Sequence, residues 1–248
     1  MEILAVIPAR LGSTRLPGKP LLSETGRPLI QHVVEQVRTA LRPTRIVVAT
    51  DDARIVAAVE AFGGEAMLTR ADHPSGTDRV AEVSRTIPSA EIVVNVQGDE
   101  PEIPGAVIDH AIEVLLQDPS ASMATLATPI RDRSVYENPA CVKAVVGQNG
   151  RALYFSRSPV PCHRDGPPAH GILGHLHLGL YVYRREFLLR LTGLPPSPLE
   201  ETEKLEQLRV LEAGEPIAIG LVDEPSVGID TPEDYCRFVE RWHKRARP

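Results

Sequence analysis

Short apolar runs alternate along this chain with stretches whose apolar residues recur every three or four positions. Residues 3–7 form an unbroken apolar run of strand length. Over residues 28–41, Leu29, Ile30, Val33, Val34, Val37 and Leu41 fall at helical spacing, which predicts a helix. Residues 45–50 predict the next strand. Asp51 and Asp52 then offer caps for a helix through Ile55, Val56, Val59 and Phe62, which Gly63-Gly64 stops. Residues 65–68 and 91–96 read as strands, and residues 104–116 as a helix after them. Continuous apolar strands separated by helices imply a parallel sheet covered on both faces.

The pattern changes after about residue 120. Residues 123–130, 142–146, 152–155 and 175–183 read as strands with less helix between them, a mixed-sheet extension. Residues 162–174 are rich in proline and glycine and predict a mobile loop. Residues 199–211 predict one helix, with Leu205, Leu208 and Leu211 on a stripe and Gly214 as its stop. Residues 217–222 are the last strand. Thr231-Pro232-Glu233-Asp234 then opens a final helix: threonine caps, proline takes the first position, and acids fill the first turn. The expected fold is α/β, with a mostly parallel sheet and a mixed-sheet extension. One domain is expected, with lobes at about 1–120 and 121–225 and a C-terminal helix packing back on the core.

Composition narrows the function classes. At 248 residues the chain suits one large domain or one with a sub-lobe. Its longest apolar runs are about six residues, too short to span a bilayer. The first residues lack the basic and apolar regions of a signal peptide. Cys141, Cys162 and Cys236 form neither a disulfide framework nor a CxxC pair, so reduced thiols and a cytoplasmic location are expected. A net charge of −6 argues against a protein that coats nucleic acid, although it allows a local basic pocket.

Such a pocket is visible after the first strand. Residues 8–20, Pro-Ala-Arg-Leu-Gly-Ser-Thr-Arg-Leu-Pro-Gly-Lys-Pro, carry Arg10, Arg15 and Lys19, and Glu2 is the only acid in residues 1–23. Ligands of open α/β sheets bind beyond the carboxyl ends of strands. Glycine-freed N–H groups with arginine and lysine suit a polyphosphate. The loop is not a Walker A motif: five residues separate Gly12 from Gly18, and Pro20 replaces the metal-binding hydroxyl. A second strand ends in Gln97-Gly98-Asp99-Glu100-Pro101 and brings Asp99 to the same sheet edge. A carboxylate facing a polyphosphate implies a hard cation between them, hence Mg2+. Asp230 stands just before the last capped helix.

These segments together carry a resemblance. They join Thr69-Arg70-Ala71-Asp72-His73-x-Ser75-Gly76-Thr77-Asp78-Arg79, Ala152-Leu153-Tyr154-Phe155-Ser156-Arg157, His177-Leu178-Gly179-x-Tyr181, Ser197-Pro198-Leu199-Glu200, Leu205-Glu206-Gln207-Leu208-Arg209 and Asp230-Thr231-Pro232-Glu233-Asp234. In order, and over nearly the whole chain, they resemble the 3-deoxy-manno-octulosonate cytidylyltransferase family. The resemblance implies the nucleotide-diphospho-sugar-transferase fold, a homodimer through the second half, and transfer of CMP from CTP to 3-deoxy-manno-octulosonate (Kdo). It implies a nucleotide-binding first lobe and a sugar-binding, dimerising second lobe. Arg10, Ser13, Arg15 and Lys19 would hold the triphosphate, and Lys19 would stabilise charge at the transferring phosphate. Asp99 and Asp230 would hold Mg2+. Arg70, Ser75, Gly76, Arg79 and Gln97 would complete the nucleotide site.

The implied sugar is an acid. Gln97, Arg157, Arg164, His177, Tyr181, Glu206 and Gln207 match family sugar-side positions; the arginines suit a carboxylate, Glu206 and Gln207 suit hydroxyls. Leu176 and Val182 depart from the family pattern on this side, so another acidic sugar, such as sialic acid or an amino-substituted Kdo, is the competing acceptor. A zinc site on His163, His170, His175 and His177 matches no standard spacing. The remaining alternatives are a nucleotide sensor without turnover and a nucleic-acid binder, the latter opposed by the charge and the few aromatics.

Overall fold

The run at residues 3–7 becomes β1 (Glu2–Ala9), in which Ile3 to Ile7 are all buried. The structure, a computed structural model, describes residues 1–12, 15–166, 168–169, 171–223 and 228–245. They fall into two compact units, residues 1–109 with 228–245, and residues 110–223.

In the first unit β1 lies between β2 (Arg45–Thr50) and β4 (Ala90–Asn95), and β3 (Ala66–Leu68) pairs with β2. All four strands are parallel. Val6 stands opposite both Val47 and Asn95, so the ends of β1 and β4 run side by side. The Val96 N–H continues this by donating to the Val6 carbonyl at 3.0 Å. Helix α1 (Leu29–Val37) buries Leu29, Ile30, Val33, Val34 and Val37, each worth about 1.5–3 kcal/mol of transfer energy. It is shorter than the expected 28–41. Leu41 leaves the stripe and is 91% exposed, because the Asp109 carboxylate accepts the Leu41 and Arg42 N–H groups and turns the chain outward.

Asp52 caps α2 (Ala53–Ala61), accepting the Arg54 N–H as its sequence position predicts. Helix α3 (Gly76–Thr86) falls where sequence reasoning saw only a nucleotide-contacting stretch. Its signals were present: Ser75 caps the Asp78 N–H, and Thr77, Val80, Ala81, Val83 and Ser84 bury one face. The final helix, α9 (Pro232–Arg245), opens with reciprocal caps between Thr231 and Asp234. Leu16 and Leu29 pack with Ile229, Tyr235 and Phe238, so α9 closes a small core over the first loop.

The break between the units falls within α4 (Gly105–Gln117). In the second unit β5 (Met123–Ile130) pairs antiparallel with β8 (Gly174–Arg184) and parallel with β9 (Ile217–Leu221). Strand β6 (Lys143–Val146) pairs antiparallel with β7 (Ala152–Ser156) and β8. This is the mixed sheet. Short helices α5 (Arg133–Glu137) and α6 (Arg185–Leu191) were not expected from the sequence. The helix expected over 199–211 is two helices, α7 (Pro198–Glu203) and α8 (Gln207–Glu212). Lys204 breaks them with φ of 54°, a left-handed conformation, and Leu205 N–H closes back on the Glu200 carbonyl. Leu205 and Leu208 remain buried; Leu211 is half-exposed.

Candidate active site

The carboxyl ends of β1 and β4, the cap of α3 and the segment before α9 enclose a cleft of about 370 Å3 in the first unit. Arg10, Arg15 and Lys19 line it, with Ser75, Gly76, Arg79, Gln97, Asp99 and Asp230. Sequence reasoning chose all of these. Ser13, also chosen, lies outside the described residues. Arg70 does not line the cleft: its guanidinium grips the Asp72 carboxylate on an exposed surface.

Lys19 starts a 3-10 turn after Gly18, whose φ of 69° suits glycine. Its Nζ lies 2.9 Å from Asp99 Oδ2, 2.8 Å from the Ile229 carbonyl and 3.5 Å from Asp230 Oδ1. Arg15 Nη2 is 3.1 Å from the same Asp230 oxygen. The Ile229 N–H donates to the Asp99 carbonyl at 2.8 Å, tying the segment before α9 to the end of β4. Arg10 is exposed at the rim.

Gly98 makes the close approach possible. A Cβ there would sit 2.6 Å from the Pro8 carbonyl oxygen, closer than side chains tolerate. The α3 cap faces the same cleft: Ser75 Oγ accepts from Asp78 N at 3.2 Å and donates to Asp78 Oδ2 at 2.7 Å. A helix N-terminus favours anions. Arg79 is buried; it pairs with Asp51 Oδ2 at 3.1 Å and donates to Thr69 Oγ1, which fastens α3 to the end of β2. His73, which lines the cleft and pairs with Glu82, was missed as a site residue although the quoted motif contains it.

A cation fits between Asp99 and Asp230. The two carboxylates already converge on one ammonium, and a hard divalent ion is commonly held by one or two carboxylates plus substrate phosphates. Among the described residues no group of three or more His, Cys, Asp or Glu is placed to hold a metal. His170 lies outside the described residues.

Several of the residues expected on the sugar side gather in the second unit. His177 is hydrogen-bonded to Thr125 Oγ1 at 3.0 Å and stands 3.5 Å from Gln207 Nε2. Its ring packs against Phe155 and Tyr181. Burial pushes its pKa down to about 3, so the imidazole is neutral near pH 7. Glu206 precedes Gln207 at the start of α8. Arg157 donates to the carbonyls of Glu203 at 2.7 Å and Pro139 at 3.0 Å, and its N–H to the Glu203 carboxylate at 2.9 Å. Its guanidinium thus holds main chain around the α7–α8 break. Arg164 stands exposed on the loop after Cys162, outside this hydrogen-bonded group. Of the two departures from the family pattern, Val182 is fully buried opposite Ala124 and packs in the core.

Among the described residues no helix is long and apolar enough to cross a membrane. A family model described as cytidylyltransferase matches residues 4–217. The chain is 49% identical over 245 residues to the 3-deoxy-manno-octulosonate cytidylyltransferase of Syntrophotalea carbinolica, covering 96% of this chain and 97% of that one. With the same enzyme of Syntrophobacter fumaroxidans it shares 51% over 236 residues, 94% of each. A solved CMP:2-keto-3-deoxy-manno-octonic acid synthetase, complexed with CTP, superposes with a TM-score of 0.93 at 42% identity, covering 99% of this chain and all of that one. The 4-diphosphocytidyl-2C-methyl-D-erythritol synthase of Anaerococcus prevotii, at 14% identity and a TM-score of 0.63 over 98% of this chain and 99% of that one, shares the fold alone. The chain belongs to the 3-deoxy-manno-octulosonate cytidylyltransferase family.

Proposed function

We propose that this protein transfers the cytidylyl group of CTP to Kdo and releases pyrophosphate. The observation that carries the reading is the cleft itself: three cations from one loop and two carboxylates line it at the end of a parallel sheet, in a chain about half identical to its relatives over nearly full length. The sugar's anomeric hydroxyl attacks the α-phosphorus. A new oxygen–phosphorus bond forms, the bond to the β-phosphate oxygen breaks, and the hydroxyl proton leaves to solvent or a nearby base. The protein's task is to orient the reactants and neutralise charge. Arg10, Arg15 and Lys19 bind the triphosphate, with Ser75, Gly76, Arg79 and Gln97 toward the nucleoside. Asp99 and Asp230 would hold Mg2+, which when bound lowers the charge on the phosphates and the basicity needed of the attacking oxygen. On the sugar side, Arg157, Arg164, His177, Tyr181, Glu206 and Gln207 form the acceptor site in this reading; neutral His177 there serves as a hydrogen-bonding group.

The same reading makes the enzyme cytoplasmic and homodimeric through the second unit, supported by the family resemblance and by Leu153, 64% exposed on β7. Sedimentation tests the dimer. The activity is tested by pyrophosphate release with CTP and Mg2+ across a panel of acidic sugars, then with UTP, GTP and ATP. Kdo should be the best acceptor and CTP the best donor. Release with sialic acid but not Kdo would overturn the assignment. Asp99→Asn should lose at least about a hundredfold in kcat while its melting temperature stays near that of the parent.

A further inference from the structure

Lys19 is asked to do two things that conflict. Its ammonium has three donors, and without nucleotide they are directed at Asp99 Oδ2 (2.9 Å), the Ile229 carbonyl (2.8 Å) and, more distantly, Asp230 Oδ1 (3.5 Å). The side chain is 13% exposed, so the ammonium is poorly screened by water. A divalent ion on Asp99 and Asp230 would stand within a few ångströms of this positive charge, and the repulsion would be strong at such a site. A triphosphate, in turn, needs the ammonium free of the carboxylates. One exchange meets both demands.

We propose that Lys19 is the resident counter-ion of the Asp99–Asp230 pair, and that a divalent cation takes this pair when a triphosphate draws the ammonium away. The inference rests on the metal assignment made above for the two aspartates. It makes metal and nucleotide binding mutually reinforcing, since each removes the partner that holds the other's site closed. Arg15 follows the same logic on a smaller scale: it grips Asp230 from solvent, 67% exposed, and can turn to phosphate at little cost. The carboxylates are thereby kept neutralised in the empty enzyme and are released together with the arrival of substrate charge.

The test is Mn2+ binding to the purified full chain, read from the electron paramagnetic resonance signal of free Mn2+, without and with CTP and with no sugar present. Nucleotide-free Lys19→Met should bind Mn2+ about tenfold more tightly than the parent, because the competing cation is gone. Adding Asp99→Asn to Lys19→Met should abolish that gain. CTP should tighten Mn2+ binding by a larger factor in the parent than in Lys19→Met. If Lys19 served only to anchor the Ile229 carbonyl, its removal would lower the melting temperature without tightening metal binding; equal or weaker Mn2+ binding in Lys19→Met overturns the proposal. Should that variant fail to fold, Lys19→Gln removes the charge but keeps a donor for Ile229, and the same comparison decides. Failure of the metal assignment itself reads differently: Mn2+ bound in the presence of CTP would then be indifferent to Asp99→Asn and Asp230→Asn in an otherwise unchanged chain.

Discussion

Lys143 has no exposed surface, yet it carries a charge. Its ammonium donates to the carbonyls of Asn138 at 2.9 Å, Cys141 at 2.5 Å and Arg157 at 2.6 Å, and burial pushes its pKa down. All three donors are used, so the residue is a clasp that joins the turn before β6 to the end of β7. Lys143→Met should cost about 2–4 kcal/mol, measured by urea denaturation, because several charge-assisted bonds vanish at once. Gly98 makes a different kind of point: its missing side chain is what matters. Gly98→Ala should reduce kcat/KM about tenfold or more and cost about 1–3 kcal/mol of stability in urea denaturation, since the added methyl meets the Pro8 backbone and must push the ends of β1 and β4 apart. The gathering of some residues was legible in the sequence. Arg10, Arg15, Lys19, Asp99 and Asp230, which line one cleft, stood out because a cationic loop follows the first strand, one acid follows another strand, and another acid stands just before the last helix. Lys143 and the carbonyl-bound guanidinium of Arg157 were not legible, since their partners are main-chain atoms and leave no mark on residue type.

Elements repeat the lesson with their own physics. Continuous apolar strands and well-capped helices were readable, because burial and capping are local chemical choices. Helix α3 escaped because its first turn, Gly76-Thr77-Asp78-Arg79, is polar and its buried face includes a threonine, an arginine and a serine. Its cap is nonetheless a functional joint. Ser75→Ala should lose about 1 kcal/mol in denaturant titrations, and CTP affinity should fall with it, because the same turn lines the cleft. The break at Lys204 was hidden for another reason. A non-glycine residue in the left-handed region is imposed by its neighbours: Ser197 and Glu200 form a capping box that starts α7 early, and Arg209 clamps Glu200, with Nε 2.6 Å from Oε2.

At the scale of the whole molecule, three histidines, His32, His175 and His177, have pKa values lowered by burial. In the unfolded chain each takes up a proton below its ordinary value of 6.5; in the folded chain each resists it. The stability that follows is therefore fully present above pH 6.5 and is lost as pH falls, for His177 until about pH 3. His177→Gln should flatten the acid limb of the stability curve between those limits, as read from urea midpoints at successive pH values; an unchanged slope would count against the neutral imidazole. The overall α/β class and its parallel-then-mixed order were legible because they follow from long apolar patterns. The position of the break between the units leaves no mark on the sequence, because it lies inside a helix whose periodicity runs on undisturbed. The first unit is also discontinuous, and this reaches beyond the finished protein. During synthesis Lys19 and Asp99 emerge long before Asp230, with the entire second unit made in between. Until the segment around Ile229 arrives, Lys19 lacks its carbonyl and one carboxylate, and Leu16 and Leu29 lack Tyr235 and Phe238 to pack against. A nascent chain thus cannot assemble the cleft early, and competence waits until the segment after the second unit has been made.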